Sequence, residues 1–94
     1  MLIVSGWIYV DPDSRDDYLD GCRVVVERAR KALGCLDFAL AADLLEPGRI
    51  NIYERWESDE ELAAFRGSGP SPEQQAETRD ASVNKYRISA VESP

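Results

Sequence analysis

The first ten residues, MLIVSGWIYV, narrow the possible folds more than any other stretch of the chain. From Leu2 to Val10 the side chains alternate as they do across a strand, yet both sides of the alternation are apolar. Leu2, Val4, Ile8 and Val10 fall on one side; Ile3, Trp7 and Tyr9 fall on the other. A strand apolar on both faces is covered on both faces. Gly6 interrupts it, and a glycine inside a strand marks a close approach of backbone or ligand. The stretch has no basic lead and runs into Asp11-Pro12, so it reads as a strand rather than a secretory leader. The cytoplasm is the expected location.

The residues after this strand supply the remaining layers. Asp11 is a candidate N-cap with Pro12 at the first helical position, and the spacing predicts a helix from Pro12 to about Leu33. Tyr18, Cys22, Val25, Val26, Ala29 and Leu33 form its apolar stripe, and Gly34 ends it. Cys35 to Leu45 and Arg49 to Glu57 read as two strands joined by Glu46-Pro47-Gly48-Arg49, which suits a type II turn. Leu36, Phe38, Leu40, Ala42 and Leu44 share one face of the first; Ile50, Ile52, Glu54 and Trp56 share a face of the second.

A second helix is announced by Ser58 with Glu61 three residues later, a capping box. Asp59, Glu60 and Glu61 place negative charge at the positive end of its dipole, and Leu62 and Phe65 look inward. It breaks at Arg66-Gly67-Ser68-Gly69-Pro70. Ser71-Pro72-Glu73-Gln74 is another start signal, so a short helix is expected from Pro72 to about Ala81, then a last strand from Val83 to about Val91. The order β-α-β-β-α-β, with a small extra helix before the last strand, is the α+β ferredoxin-like arrangement. The 94 residues make one domain, 1–94.

Charge and residue inventory remove several function classes. The net charge of −7 disfavours a phosphate backbone as partner, and no Lys/Arg run exists to meet an anionic membrane. No stretch approaches the roughly 20 apolar residues of a spanning helix. Cys22 and Cys35 would lie roughly 16 Å apart along the helix axis. A disulfide needs Cα atoms within about 7 Å, so both thiols are expected free. Two thiols without any histidine give no zinc set, and the missing histidine also removes the commonest general base and the usual haem ligand.

Two helices cover only one face of such a sheet. The other, carrying Ile3, Trp7 and Tyr9, is too apolar to be left wet, which predicts a homodimer packed sheet against sheet. The alternative is a monomer with scattered surface aromatics.

Gly34-Cys35-Leu36, a Pro-Gly hairpin, then Glu54-Arg55-Trp56-Glu57-Ser58 leading into Glu61-Leu62 resembles the antibiotic biosynthesis monooxygenase type of dimeric α/β-barrel domain. The likeness spans nearly the whole chain. It implies a homodimer with one pocket per subunit between sheet and helices. Members include oxygenases that convert phenols or anthrones to quinones with O₂ and no metal or flavin; others degrade haem. Trp56 matches a pocket-lining tryptophan at the end of the third strand, and Glu54 the glutamate two residues before it. The histidine common after the second helix, and the first-strand asparagine of haem degraders, are both absent here. The resemblance therefore implies no cofactor and disfavours haem degradation.

The expected chemistry needs a flat substrate, help to its anion, and exclusion of water. Trp56, Glu54 and Arg66 are the candidate catalytic residues: Glu54 as a base with a raised pKa, Arg66 (or Arg55 or Arg87) as the cation beside an enolate or peroxide. Gly6, Tyr18, Phe38, Ile52 and Phe65 are the candidate pocket, with Gly67 to Gly69 as a hinge. The expected ligand is a small aromatic or polyketide-like compound. Each residue also has a structural reading: Trp56 as core, Glu54 as an ion-pair partner, Arg66 as a solvated charge. Competing functions are non-oxidative binding, polyketide cyclisation, or a structural dimer without activity.

Overall fold

A computed structural model describes residues 1–67 and 80–94. The strands are β1 (Leu2–Tyr9), β2 (Cys35–Ala42), β3 (Arg49–Trp56) and β4 (Asp80–Arg87). Helices α1 (Arg15–Gly21) and α2 (Arg23–Lys31) separate β1 from β2, and α3 (Asp59–Arg66) comes after β3. The sheet order is β2-β3-β1-β4 with every neighbouring pair antiparallel. This is the split βαβ arrangement expected from the element order.

β1 is an inner strand, bonded to β3 along one edge and to β4 along the other. Gly6 stands opposite Ile52 on one side and Val83 on the other. Its φ is +153°, and a Cβ there would run into the Ser82 carbonyl oxygen. The close approach that the glycine signals is therefore one of backbone to backbone.

The long first helix is in fact a 3-10 turn (Pro12–Ser14) and two helices. Asp11 caps the turn, its side chain accepting from the Asp13 N–H at 2.9 Å. The break falls at Gly21-Cys22, where the Cys22 N–H is shared between the carbonyls of Tyr18 (3.1 Å) and Leu19 (3.0 Å). Glycine is the weakest non-proline helix former, which makes Gly21 a natural place for the ladder to slip. α2 then ends at Lys31 rather than Leu33, with Ala32 extended. Leu33 is 83% exposed and so leaves the apolar stripe.

β2 also departs from simple alternation. A bulge between Cys35 and Asp37 sets Cys35 opposite Trp56 and Phe38 opposite Glu54. Cys35 packs against the core where Leu36 was expected; Leu36 is exposed. The strand stops at Ala42, and Leu44 and Leu45 stand in solvent. Asp43 accepts from the Leu45 and Glu46 N–H groups and ends the strand early. The Arg49 N–H reaches the Glu46 carbonyl at 3.2 Å, closing the expected four-residue turn. Gly48 lacks the positive φ of type II.

Ser58 caps α3, its Oγ accepting from the Glu61 N–H at 3.4 Å. The reciprocal half of the capping box is missing, because the Glu61 carboxylate is turned against Gly34. Gly34 takes φ +81°, a conformation that suits glycine and ends the first helical unit. The short helix expected over Pro72–Ala81 falls largely outside the described residues. Its last two positions, Asp80 and Ala81, belong to β4, which starts earlier than Val83 and ends at Arg87 rather than Val91.

The helices cover one face of the sheet. Beneath them the core forms two clusters: Leu2, Val4, Ala29, Phe38, Trp56 and Leu62 in one, and Val10, Tyr18, Cys22 and Ile50 in the other. The opposite face carries no helix among the described residues. Its centre is a shallow hollow of about 530 Å³ bordered by Trp7, Tyr53 and Tyr86, with Ser5, Asn51 and Asn84 between them. That face is thus more mixed in character than Ile3, Trp7 and Tyr9 alone suggest. Neither Cys22 nor Cys35 is in a disulfide. Among the described residues, no helix is long and apolar enough to cross a membrane.

Candidate functional site

Between sheet and helices lies a cavity of about 130 Å³. Tyr18 lines it from α1, Cys22 from the junction and Val25 from α2; Phe38, Ile52 and Glu54 line it from the sheet. Phe65 and Arg66 reach it from α3 and Arg28 from α2. Tyr18 and Cys22 belong to one core cluster and Phe38 to the other, so the cavity is where the two clusters meet.

Glu54 is the only carboxylate among the described lining residues. It is 3% exposed, seated opposite Val4 on β1 and Phe38 on β2. Glu54 and Trp56 are two apart on β3 and therefore point to the same face. The Trp56 indole Nε1–H donates to Glu54 Oε1 at 3.1 Å. Arg66 Nη2 donates to Oε2 at 2.9 Å. Each carboxylate oxygen thus has its own donor. Burial nonetheless pushes the Glu54 carboxyl above its ordinary value; the Arg66 charge and the Trp56 and Arg66 hydrogen bonds pull the other way and do not cancel it. A carboxyl raised by desolvation and aimed into a cavity is the environment of a general base or acid.

The aromatic wall is built around Phe65. Its ring meets Phe38 edge-on at 5.7 Å between centroids and Trp56 in a tilted contact at 5.3 Å. The Arg28 guanidinium carbon also stands 5.7 Å from the Phe65 ring centroid. Trp56 is fully buried and stands behind the cavity, in contact with Phe65 and Glu54.

The structure therefore brings Glu54, Arg66, Tyr18, Phe38, Ile52 and Phe65 around one space, with Trp56 directly behind them. Gly6 is elsewhere: it borders the open hollow on the other face, and its missing side chain serves the β4 backbone. Arg55 and Arg87 do not reach the cavity either. Arg55 stands opposite Ile3, on the face without helices. Arg87 pairs with Asp59 at 2.9 Å. Of the suggested hinge, Gly67 caps α3 in helical conformation, and Ser68 and Gly69 lie outside the described residues. Sequence reasoning missed Ile8, Cys22, Val25, Arg28 and Leu40 as cavity residues. Cys22 and Val25 were visible as members of the helical stripe, and Arg28 lies next to Ala29 at its edge.

The fold is shared with known proteins. Residues 1–81 match the profile of the antibiotic biosynthesis monooxygenase family. A solved antibiotic biosynthesis monooxygenase superposes with a TM-score of 0.82 at 27% identity, covering 98% of this chain and 100% of that one. A conserved protein from Methanosarcina mazei Go1 superposes with a TM-score of 0.82 at 21% identity, covering 92% of this chain and 90% of that one. The heme-degrader MhuD from Mycobacterium tuberculosis, solved with two hemes bound in its active site, superposes with a TM-score of 0.69 at 18% identity over 99% of this chain and 100% of that one. No curated protein sequence matches the chain at a significant level. With the family profile matched over residues 1–81 and the β-α-β-β-α-β order in place, the chain belongs to the antibiotic biosynthesis monooxygenase family.

Proposed function

We propose that the chain is a homodimeric, cofactor-independent monooxygenase that oxidises a small phenolic compound with O₂. The observation that carries this reading is the Glu54 carboxyl, raised by burial and held by Trp56 and Arg66 at the wall of an aromatic cavity. Glu54 takes the phenolic proton, and Arg66 turns part of its charge to the resulting phenolate. The electron-rich ring then reduces O₂ through a peroxide at a ring carbon. One oxygen atom ends in the new carbonyl and the other leaves as water. Phe38 and Phe65 hold the ring and keep bulk water from the intermediate.

The cavity's size refines the substrate. A space of about 130 Å³ is close to the ~150 Å³ that accommodates benzene, and below the ~300 Å³ of most small-molecule sites. One ring fits; a fused polyketide would have to extend past Arg28 and Arg66. A haem is larger than this space, and the chain has no histidine, the usual ligand of its iron, which disfavours haem degradation.

The homodimer is supported by the face that carries no helix among the described residues, with its hollow of about 530 Å³ bordered by Trp7, Tyr53 and Tyr86. The test is oxygen consumption by chelator-treated protein with a panel of single-ring phenols and hydroquinones. Turnover that Glu54→Gln abolishes supports the reading. Ligand binding without O₂ consumption would replace it with a non-oxidative binder or cyclase. Absence of both would leave a structural dimer.

A further inference from the structure

The cavity carries a charge that the proposed oxidation does not use. Its charged lining residues are Glu54, Arg66 and Arg28. Glu54 and Arg66 neutralise one another at 2.9 Å. Arg28 is left over: among the described residues, every ion pair is made by another cation. Its guanidinium is placed by the Phe65 ring instead, with 5.7 Å to the centroid. Among the described residues, Arg66 bonds through its side chain to Glu54 alone, using Nη2 of a guanidinium that has five N–H groups. Both arginines are exposed at the edge of the cavity, one from α2 and one from α3. In a chain of net charge −7, the charged lining residues of the cavity sum to +1, although Arg28 also borders Glu60 and Glu61 on its outer side.

We propose that the ligand is a single-ring aromatic acid, its ring between Phe38 and Phe65 and its carboxylate on Arg28 and the free edge of Arg66. Apart from Glu54 the inner lining is mostly apolar, and its volume of about 130 Å³ is that of one ring, so a ring enters first. A carboxylate on that ring then stays at the solvent edge. There it keeps part of its hydration and meets a planar fork that matches its two oxygens. Arg28 is a specificity residue in this scheme: it selects an acid over a neutral phenol and takes no part in the proton transfer at Glu54. The inference rests on reading the cavity as a ligand site, whether or not oxidation occurs there.

Salicylate and phenol test it, titrated by isothermal calorimetry at low ionic strength into wild type and Arg28→Gln. Salicylate is expected to bind wild type at least about tenfold tighter than phenol. Arg28→Gln should remove about tenfold from salicylate and change phenol less than about twofold, with a melting temperature lowered by no more than a few degrees through loss of the Phe65 contact. Equal affinities in wild type, or a parallel loss for both compounds in the variant, would overturn the inference and leave the ring-binding reading standing. Failure of both compounds to bind wild type would overturn the two together.

Discussion

Arg66 Nη2 lies 2.9 Å from Glu54 Oε2, joining the end of α3 to the middle of the sheet through a pair whose two halves differ sharply in burial. The Glu54 side chain is 4% exposed and the Arg66 side chain 47%. The arginine reaches in from water to meet a carboxylate that the sheet has already desolvated. This asymmetry is why burial outweighs the pair and Glu54 titrates above its ordinary range.

Glu54→Gln should separate function from stability. Because the folded-state pKa of Glu54 is raised above 4.5, its stabilising contribution is full below that value and is lost as pH rises through the folded pKa. Wild type should therefore lose melting temperature relative to Glu54→Gln as pH rises from about 4 to about 8. Oxidation should fall by about 100-fold or more. A variant that becomes less stable than wild type toward pH 8 would show that the Arg66 pair dominates.

Trp56→Phe keeps most of the buried ring but removes the donor to Glu54 Oε1. Stability should drop by about 1–2 kcal/mol, measured by urea denaturation, and the pH dependence of oxidation should shift upward as Glu54 loses a partner. Trp56→Ala should cost about 3–5 kcal/mol through the cavity it leaves. An unchanged pH profile in Trp56→Phe would show that the indole N–H does not act on Glu54.

Asp59 fastens β4 to the start of α3, accepting from Lys85 Nζ at 2.9 Å and Arg87 Nη1 at 2.9 Å. These partners hold its carboxyl down to about 2. A depressed carboxylate stabilises above its unfolded value of 3.8 and loses that contribution as pH falls toward 2. Asp59→Asn should therefore flatten the acid limb of the stability curve and raise amide exchange in β4 at neutral pH. Exchange in β4 identical to wild type would show that backbone pairing with β1 alone holds the strand.

Trp7 lies beneath the Arg49 guanidinium, 4.3 Å from ring centroid to carbon, on the face without helices. Trp7→Glu should convert the proposed dimer into a monomer in sedimentation velocity while leaving the fold intact. A wild type that already sediments as a monomer at micromolar concentration would remove the dimer from the account.

The architecture was legible because it rests on local signals that do not compete. Asp11-Pro12, Gly34, Pro47-Gly48 and Ser58 mark boundaries by backbone chemistry, and each falls at or beside an observed one. Phe65 and Glu54 were legible for a related reason: their faces are set by helical and strand periodicity. What escaped depends on irregularity. The bulge beside Leu36 exchanges it for Cys35, and the slip at Gly21-Cys22 tilts the helix stripe, neither of which a fixed period can anticipate. Gly6 was ambiguous for want of the β4 register: a glycine that admits a ligand and one that admits a backbone look the same in sequence. Arg28 was hidden because its place at the cavity depends on Phe65, a residue on another helix.

The central claim is that the ligand enters the small hollow between sheet and helices, and that the larger hollow on the opposite face belongs to the partner subunit. Intermolecular nuclear Overhauser effects between a bound single-ring phenol and the aromatic side chains decide this directly. The ligand is expected to contact the Phe38 and Phe65 ring protons and neither Trp7 nor Tyr53. Contacts to Trp7 and Tyr53, with Phe38 and Phe65 silent, would contradict it.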